Sequence, residues 1–289
     1  MFGLENQAYI LYEYRVILSQ SNREDLIDWC SERVPLERKI NVECPYIFGK
    51  RASYSQRYYR NLSPKEIENL LSIGYRHFGR YFYRPVCQSC GECLPFRTLI
   101  KNSKRSKNAK RVHRKNRDLE INLSPAAASA ENYELFVKHN AKFLDNSTSS
   151  FQHFNSTICV SNQQLTQLSF RHKGRLIAEI LYDDLPNGLN FVAGYWDLDM
   201  GKRSIGSFGI YTLMDIARDK NLDYVYLGHF NRKHKHLSYK RRYWPAEVLM
   251  ANGNWKEISS KSNTDGIDLE SINLDPRLQI VSNSEAAGC

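Results

Sequence analysis

The chain has 289 residues, 42% of them hydrophobic and 12% aromatic, which is enough to bury a core and enough length for two domains. No run approaches the roughly 20 apolar residues of a membrane span, and an opening stretch broken by Glu5, Glu13 and Arg15 is expected to be no secretory signal, so a membrane-embedded protein is excluded. A net charge of +10 calls for a polyanionic partner, and seven cysteines, an odd number, fit reduced thiols in the cytoplasm better than a disulfide framework.

Residues 1–43 read as an N-terminal extension, partly helical near Asp25–Val34. A segment dense in Tyr, Arg and Cys follows, 44–125. Within it Ser63–Ile73 predicts a helix: Ser63 as N-cap, Pro64 in the first turn, Glu66 completing a capping box, and Ile67, Leu70 and Leu71 as the apolar stripe, ended by Gly74. A small polar stretch, Ser124–Ala130, reads as a join between domains, and Ala130–Leu144 as a second helix. Leu165–Arg171, Leu176–Tyr182 and Asn190–Trp196 then predict strands, parted by turn signals at His172-Lys173-Gly174 and Pro186-Asn187-Gly188. A helix over Gly206–Asp219 and a strand over Leu222–Leu227 complete an α+β second domain, 126–255, before a loosely attached tail, 256–289.

Four groupings carry chemistry. Cys87, Cys90 and Cys93 stand at two-residue gaps, and Cys44 could supply a fourth ligand for tetrahedral zinc or an iron-sulfur cluster, the alternative being thiols packed as small hydrophobes. Lys101–Arg117 holds nine Lys or Arg among seventeen residues and no acid, a density that suits phosphates. As a helix it would line up Lys104, Lys107, Arg111 and Arg114, with Arg105, Lys115 and Arg117 widening the face toward a folded RNA and Lys110 a further candidate contact. Ser204 and Gly206 open a helix whose first amides could meet a phosphate or an ester carbonyl, although Phe208 disfavours coenzyme A. Tyr226, Gly228, Tyr239 and Lys240 read as the rim of a cleft beyond a strand end.

Together with these, Cys44-Pro45-Tyr46, Gly74-Tyr75-Arg76, Tyr83-Arg84-Pro85-Val86-Cys87, Pro95-Phe96-Arg97, Ser103-Lys104-Arg105-Ser106 and Asn116-Arg117-Asp118-Leu119 resemble the arginyl-tRNA protein transferases, and more closely their bacterial relatives, the aspartate/glutamate leucyltransferases. The resemblance implies an acetyltransferase-like (GNAT) second domain beside a smaller Cys-rich N-terminal domain. It implies an aminoacyl-tRNA donor and, as acceptor, a protein whose N-terminal Asp or Glu is extended by leucine or arginine and so marked for degradation. The chain departs from the family at His229, commonly an aromatic, at Leu237, commonly Met, in the basic run Asn231–His236, and over Asn140–Phe154, which lacks an Arg-His.

Because the aminoacyl ester is already activated, no further cofactor is required, and orientation with oxyanion stabilisation is expected to dominate the chemistry. On this reading Arg76, Arg97 and Lys240 hold the acceptor's acidic side chain. Tyr46, Tyr83, Tyr226 and Tyr239 shape the pocket, and Ser204, Gly206 or Gly228 supplies amide donors. A small-molecule or biosynthetic-peptide acceptor and a non-catalytic, metal-stabilised RNA-binding protein are the alternatives.

Overall fold

The computed structural model describes residues 38–59, 61–88, 90–101, 103–141, 150–159, 165–231, 234 and 237–258. The helix expected near Asp25–Val34, residues 142–144 of the second predicted helix, most of the basic run at 232–236 and the tail beyond residue 258 lie outside these.

Ser63 caps the first helix, α1 (Pro64–Ser72), in the predicted way. Its Oγ accepts from the Glu66 amide and the Glu66 carboxylate accepts from the Ser63 amide, so two orphan donors are satisfied reciprocally. The apolar stripe of Ile67, Leu70 and Leu71 is buried. The small sheet has four antiparallel strands, β1 (Arg38–Glu43), β2 (Arg51–Tyr58), β3 (Arg76–Phe78) and β4 (Tyr81–Pro85), in the order β1-β2-β4-β3.

The larger sheet has eight strands. In chain order they are β5 (Leu94–Leu99), β6 (Glu120–Pro125), β7 (Thr166–His172), β8 (Arg175–Asp184), β9 (Gly188–Trp196), β10 (Tyr224–Phe230), β11 (Ala246–Leu249) and β12 (Trp255–Ile258). Spatially they run β12-β11-β5-β10-β9-β8-β7-β6. The β7–β8 hairpin closes through Lys173 and Gly174, both left-handed at φ 52° and 78°, as a primed turn requires. Four further helices are α2 (Lys107–Lys115), α3 (Ala130–Ala141), α4 (Phe151–Phe154) and α5 (Ile205–Asp219).

The mixed α and β organisation agrees with the sequence. β5, inside the first segment, inserts between β10 and β11, and β6 pairs along its length with β7 across the small polar stretch. One face of the large sheet is covered by α2 and α5, through Ala109, Val112, Phe208 and Leu213 against Phe170, Ile180 and Leu227. The other meets the small sheet and α3, through Tyr54, Phe78, Tyr83 and Phe136 against Leu181, Val192 and Tyr195. β9 lies between the two layers, and all nine of its residues are buried. Each large apolar side chain taken from water there stabilises the fold by about 2 kcal/mol before entropy is subtracted.

Candidate functional site

β9, α5 and β10 form the large sheet's parallel crossover. The two strands pair only from Gly188–Asn190 to Tyr224–Tyr226. Beyond that both ladders are irregular. β9 slips against β8 around Val192, and β10 bulges against β5 between Tyr226 and His229. Bulges bend and twist the strands that carry them, so β9 and β10 part toward their C-terminal ends.

Arg76 of β3 fills that opening. Its Nη2 donates to the Val192 carbonyl of β9 at 3.4 Å, and its guanidinium lies against Gly228 of β10. Gly228 is left-handed at φ 75°, and a Cβ there would stand 2.5 Å from Nη1, so both the conformation and the space require glycine. The next carbonyl, of His229, accepts from Lys240, which is completely buried. A three-residue-per-turn helical turn, Ser238–Arg242, delivers that lysine. His229 stays neutral: burial first, then the charges of Arg76 and Lys240, drop its pKa to about 3, and its Nε2 lies 3.3 Å from the Gly74 carbonyl. The Tyr83 ring stands 6.2 Å from His229. Tyr239, beside Lys240, is pushed up to about 12 by burial, with the charge of Arg76 acting the other way.

The structure therefore brings Arg76, Tyr83, Gly228, Tyr239 and Lys240 together where the strands part. Tyr226 lines the adjoining cavity with Arg76, Gly228 and His229. Arg97 reaches Tyr226 but is otherwise occupied. Its Nε donates to Glu247 at 2.6 Å, its Nη1 to the Tyr226 hydroxyl at 3.2 Å, and its guanidinium is clamped between Tyr224 at 3.6 Å and Trp255 at 4.1 Å. Tyr46 stands elsewhere, its ring 5.0 Å from His234.

Ser204 precedes α5 in a left-handed conformation, φ 57°, and its side chain makes no capping bond. Gly206 brings the helix start onto Trp196, at the end of β9, where a Cβ would stand 2.7 Å from the indole ring. The loop before it is tied to the end of α2. Lys115 donates to the Lys202 carbonyl at 2.9 Å, Asn116 to the Arg203 carbonyl at 3.0 Å, and Arg203 forks onto Asp118. The basic helix and the amide-bearing loop are thus neighbours.

On α2 the apolar Ala109 and Val112 are buried, while Lys107, Lys110, Arg111, Arg114 and Lys115, with Lys104 and Arg105 just before the helix, are all exposed. Arg105 is the one of these that forks onto a carboxylate, Asp215.

Cys44, Cys87, Cys90 and Cys93 line one cavity of about 50 Å³, but the metal site expected from their spacing finds no support there. Among the described residues no three His, Cys, Asp or Glu side chains come together as a group that could hold an ion. Burial raises the Cys87 thiol's pKa, and that thiol hydrogen-bonds along β2 to the backbone of Ser53.

Two buried polar sets escaped the sequence reading. His77 joins the two sheets, its Nε2 2.6 Å from Asp183, which also accepts from Asn190. Glu179, fully buried, accepts from the Tyr195 hydroxyl and from Asn132, and burial raises its pKa to about 7. An acid inside the otherwise apolar run Leu176–Tyr182 was the available signal for the second.

The family model described as "Arginine-tRNA-protein transferase, C terminus" matches residues 131–250, and that of the N terminus matches residues 42–111. The chain is 35% identical over 218 residues to an aspartate/glutamate leucyltransferase of Campylobacter jejuni, covering 73% of this chain and 90% of that protein. It is 32% identical over 206 residues to the protein of the same name from Alcanivorax borkumensis, covering 70% and 85%. Among solved structures, FemX aligns with a TM-score of 0.44 at 8% identity, over 74% of this chain and 86% of that one.

Proposed function

The chain belongs to the arginine-tRNA-protein transferase family, and from that premise we propose that it is an aminoacyl-tRNA-dependent aminoacyltransferase that adds leucine to proteins beginning with Asp or Glu, marking them for degradation. Leucine is chosen over arginine because the relatives at 35% and 32% identity carry the leucyltransferase name. No described helix is long and apolar enough to cross a membrane, and we place the reaction in the cytoplasm, where charged tRNA is made.

In this reading the β9-α5-β10 crossover is acetyltransferase-like, and the acyl donor enters where the strands part after Asn190 and Tyr226. The observation that carries the assignment is the pair of cations in that opening: Arg76 against Gly228, and Lys240 beneath the His229 carbonyl. Buried positive charge without bulk water favours a carboxylate strongly, so Arg76, with Lys240 behind it, receives the acceptor's acidic side chain. Tyr83, Tyr226 and Tyr239 wall the pocket. The exposed cations of α2 receive the tRNA backbone, and the nearby α5 start at Ser204–Gly206 offers amides to the donor's 3′ end.

The acceptor's α-amino nitrogen attacks the ester carbonyl carbon, forming a C–N bond and a tetrahedral oxyanion. Collapse breaks the ester C–O bond and releases the terminal ribose hydroxyl of the tRNA, which takes the proton the amine gives up. An α-amine titrates at about 7.7 to 8.0, so a useful fraction is free base near neutrality and a strong general base contributes little. Holding both reactants and stabilising the oxyanion is the enzyme's share, and the amides at Gly228 and at the α5 start are our candidates for the second task.

The test is transfer from a charged total-tRNA pool, each amino acid labelled in turn, onto peptides beginning with Asp, Glu or Ala. Leucine transferred to the acidic peptides alone is the expected result. Transfer to none of them would overturn the reading and favour binding of RNA without catalysis.

A further inference from the structure

We propose that Gln56 is a positioning residue for the acceptor's main chain, its side-chain amide binding the first peptide group of the substrate while Arg76 holds the acidic side chain. The proposal rests on the function just given.

In the small sheet Gln56 of β2 lies directly opposite Tyr83 of β4, and Tyr83 lies directly opposite Arg76 of β3. Residues facing one another in an antiparallel ladder project to the same side. The three side chains, together with Arg38 of β1 directly opposite Gln56, therefore form one row across the sheet. Arg76 reaches the Val192 carbonyl and Tyr83 stands against His229, so the row faces the opening between β9 and β10. The next row on that side, Tyr54 opposite Pro85 and Ile40, is apolar.

Gln56 is completely buried, and neither its Nε2 nor its Oε1 has a hydrogen-bond partner among the described residues. A buried amide missing both kinds of partner is uncommon, and an apolar residue of the same size would fill the space without penalty. Its chemistry also restricts what it would bind. A side-chain amide donates and accepts at once, which matches the N–H and C=O of a peptide group, whereas a carboxylate would be served by another cation. The spacing agrees. Two strand intervals separate Gln56 from Arg76, about 10 Å at the usual interstrand distance. An Asp or Glu side chain plus the peptide bond that follows it spans such a gap once the Arg and Gln side chains have extended toward each other.

The experiment uses the full chain, saturating leucyl-tRNA and two acceptors: the dipeptide Asp-Ala, and the depsipeptide in which an ester oxygen replaces its peptide N–H. The unmodified protein is expected to prefer the dipeptide at least tenfold in kcat/KM. Gln56→Leu should abolish that preference by raising KM for the dipeptide about tenfold while kcat stays within twofold, and its Tm should hold or rise. Gln56→Met, close in shape, repeats the measurement if the leucine variant folds poorly. A dipeptide preference retained by both variants would overturn the assignment, as would a fall in kcat and Tm with no change in preference, which marks a purely structural residue. An unmodified protein that transfers leucine to neither acceptor nor to the longer acidic peptides would overturn the function itself.

Discussion

A Cβ on Gly228 would stand 2.5 Å from Nη1 of Arg76, so the one position on β10 that lacks a side chain is the position where the guanidinium enters between the strands. Gly228→Ala would carry two penalties. Its φ of 75° costs an L residue about 1–2 kcal/mol, and the methyl group would push Arg76 off the Val192 carbonyl. We expect a Tm lowered by several degrees and, well below that Tm, a kcat/KM for Asp-initiated peptides reduced tenfold or more. A variant that transfers as well as the unmodified chain would show that the placement of Arg76 does not matter to the reaction.

Arg97 separates structural from substrate-binding cations. With Glu247 on its Nε and two aromatic rings on its faces, truncation leaves a largely buried carboxylate without its cation, a loss of about 3 kcal/mol. Arg97→Ala is therefore expected to be clearly less stable in urea. Arg97→Met combined with Glu247→Leu, which removes both charges and keeps the packing between Tyr224 and Trp255, should recover most of that loss. In the double variant the preference for acidic over Ala-initiated peptides should persist. Its disappearance would return Arg97 to the acceptor pocket.

These two arginines show where the sequence was legible. The Ser63–Glu66 capping box, the β7–β8 turn and the Gly206–Asp219 helix rest on local chemistry, and the structure reproduces them within one or two residues. Arg76 and Arg97 are indistinguishable as letters. What separates them is register: Arg97 lies opposite Tyr226 and Glu247, Arg76 opposite Tyr83 at the parted strands. Pairing between strands distant in sequence is decided by tertiary packing, and β2, β3 and β4 of the small sheet are buried in near-continuous runs without the alternation that announces a strand. For the same reason the cysteine spacing suggested a metal site: spacing fixes the order of the ligands and leaves open whether their sulfurs converge.

Glu179 predicts a pH dependence of stability. Its folded pKa of about 7 lies above the ordinary 4.5, chiefly through burial. Between these values the folded chain holds a proton that the unfolded chain has lost. Stability therefore falls as pH rises from 4.5 through 7, by about 3 kcal/mol if the group is fully buried throughout. Glu179→Gln, neutral at every pH and still able to meet Tyr195, should flatten this part of the curve when urea midpoints are compared at pH 5 and pH 8. An undiminished slope in the variant would assign the effect to other groups.

The exposed face of α2 predicts the dependence of tRNA binding on salt. Lys107, Lys110 and Arg114 project from a helix whose buried anchors are Ala109 and Val112, so replacing all three by Gln should leave Tm nearly unchanged. Each phosphate that is no longer neutralised by a cation should reduce the slope of log affinity against log salt by about 0.7 to 0.9. The triple variant is therefore expected to bind charged tRNA more weakly at low salt and to show a slope smaller by about two. Arg105→Gln is the contrast: that side chain forks onto Asp215, so its replacement should register in stability as well as in binding. An unchanged salt slope in the triple variant, with the fold intact, would move the tRNA off α2 and onto another face of the molecule.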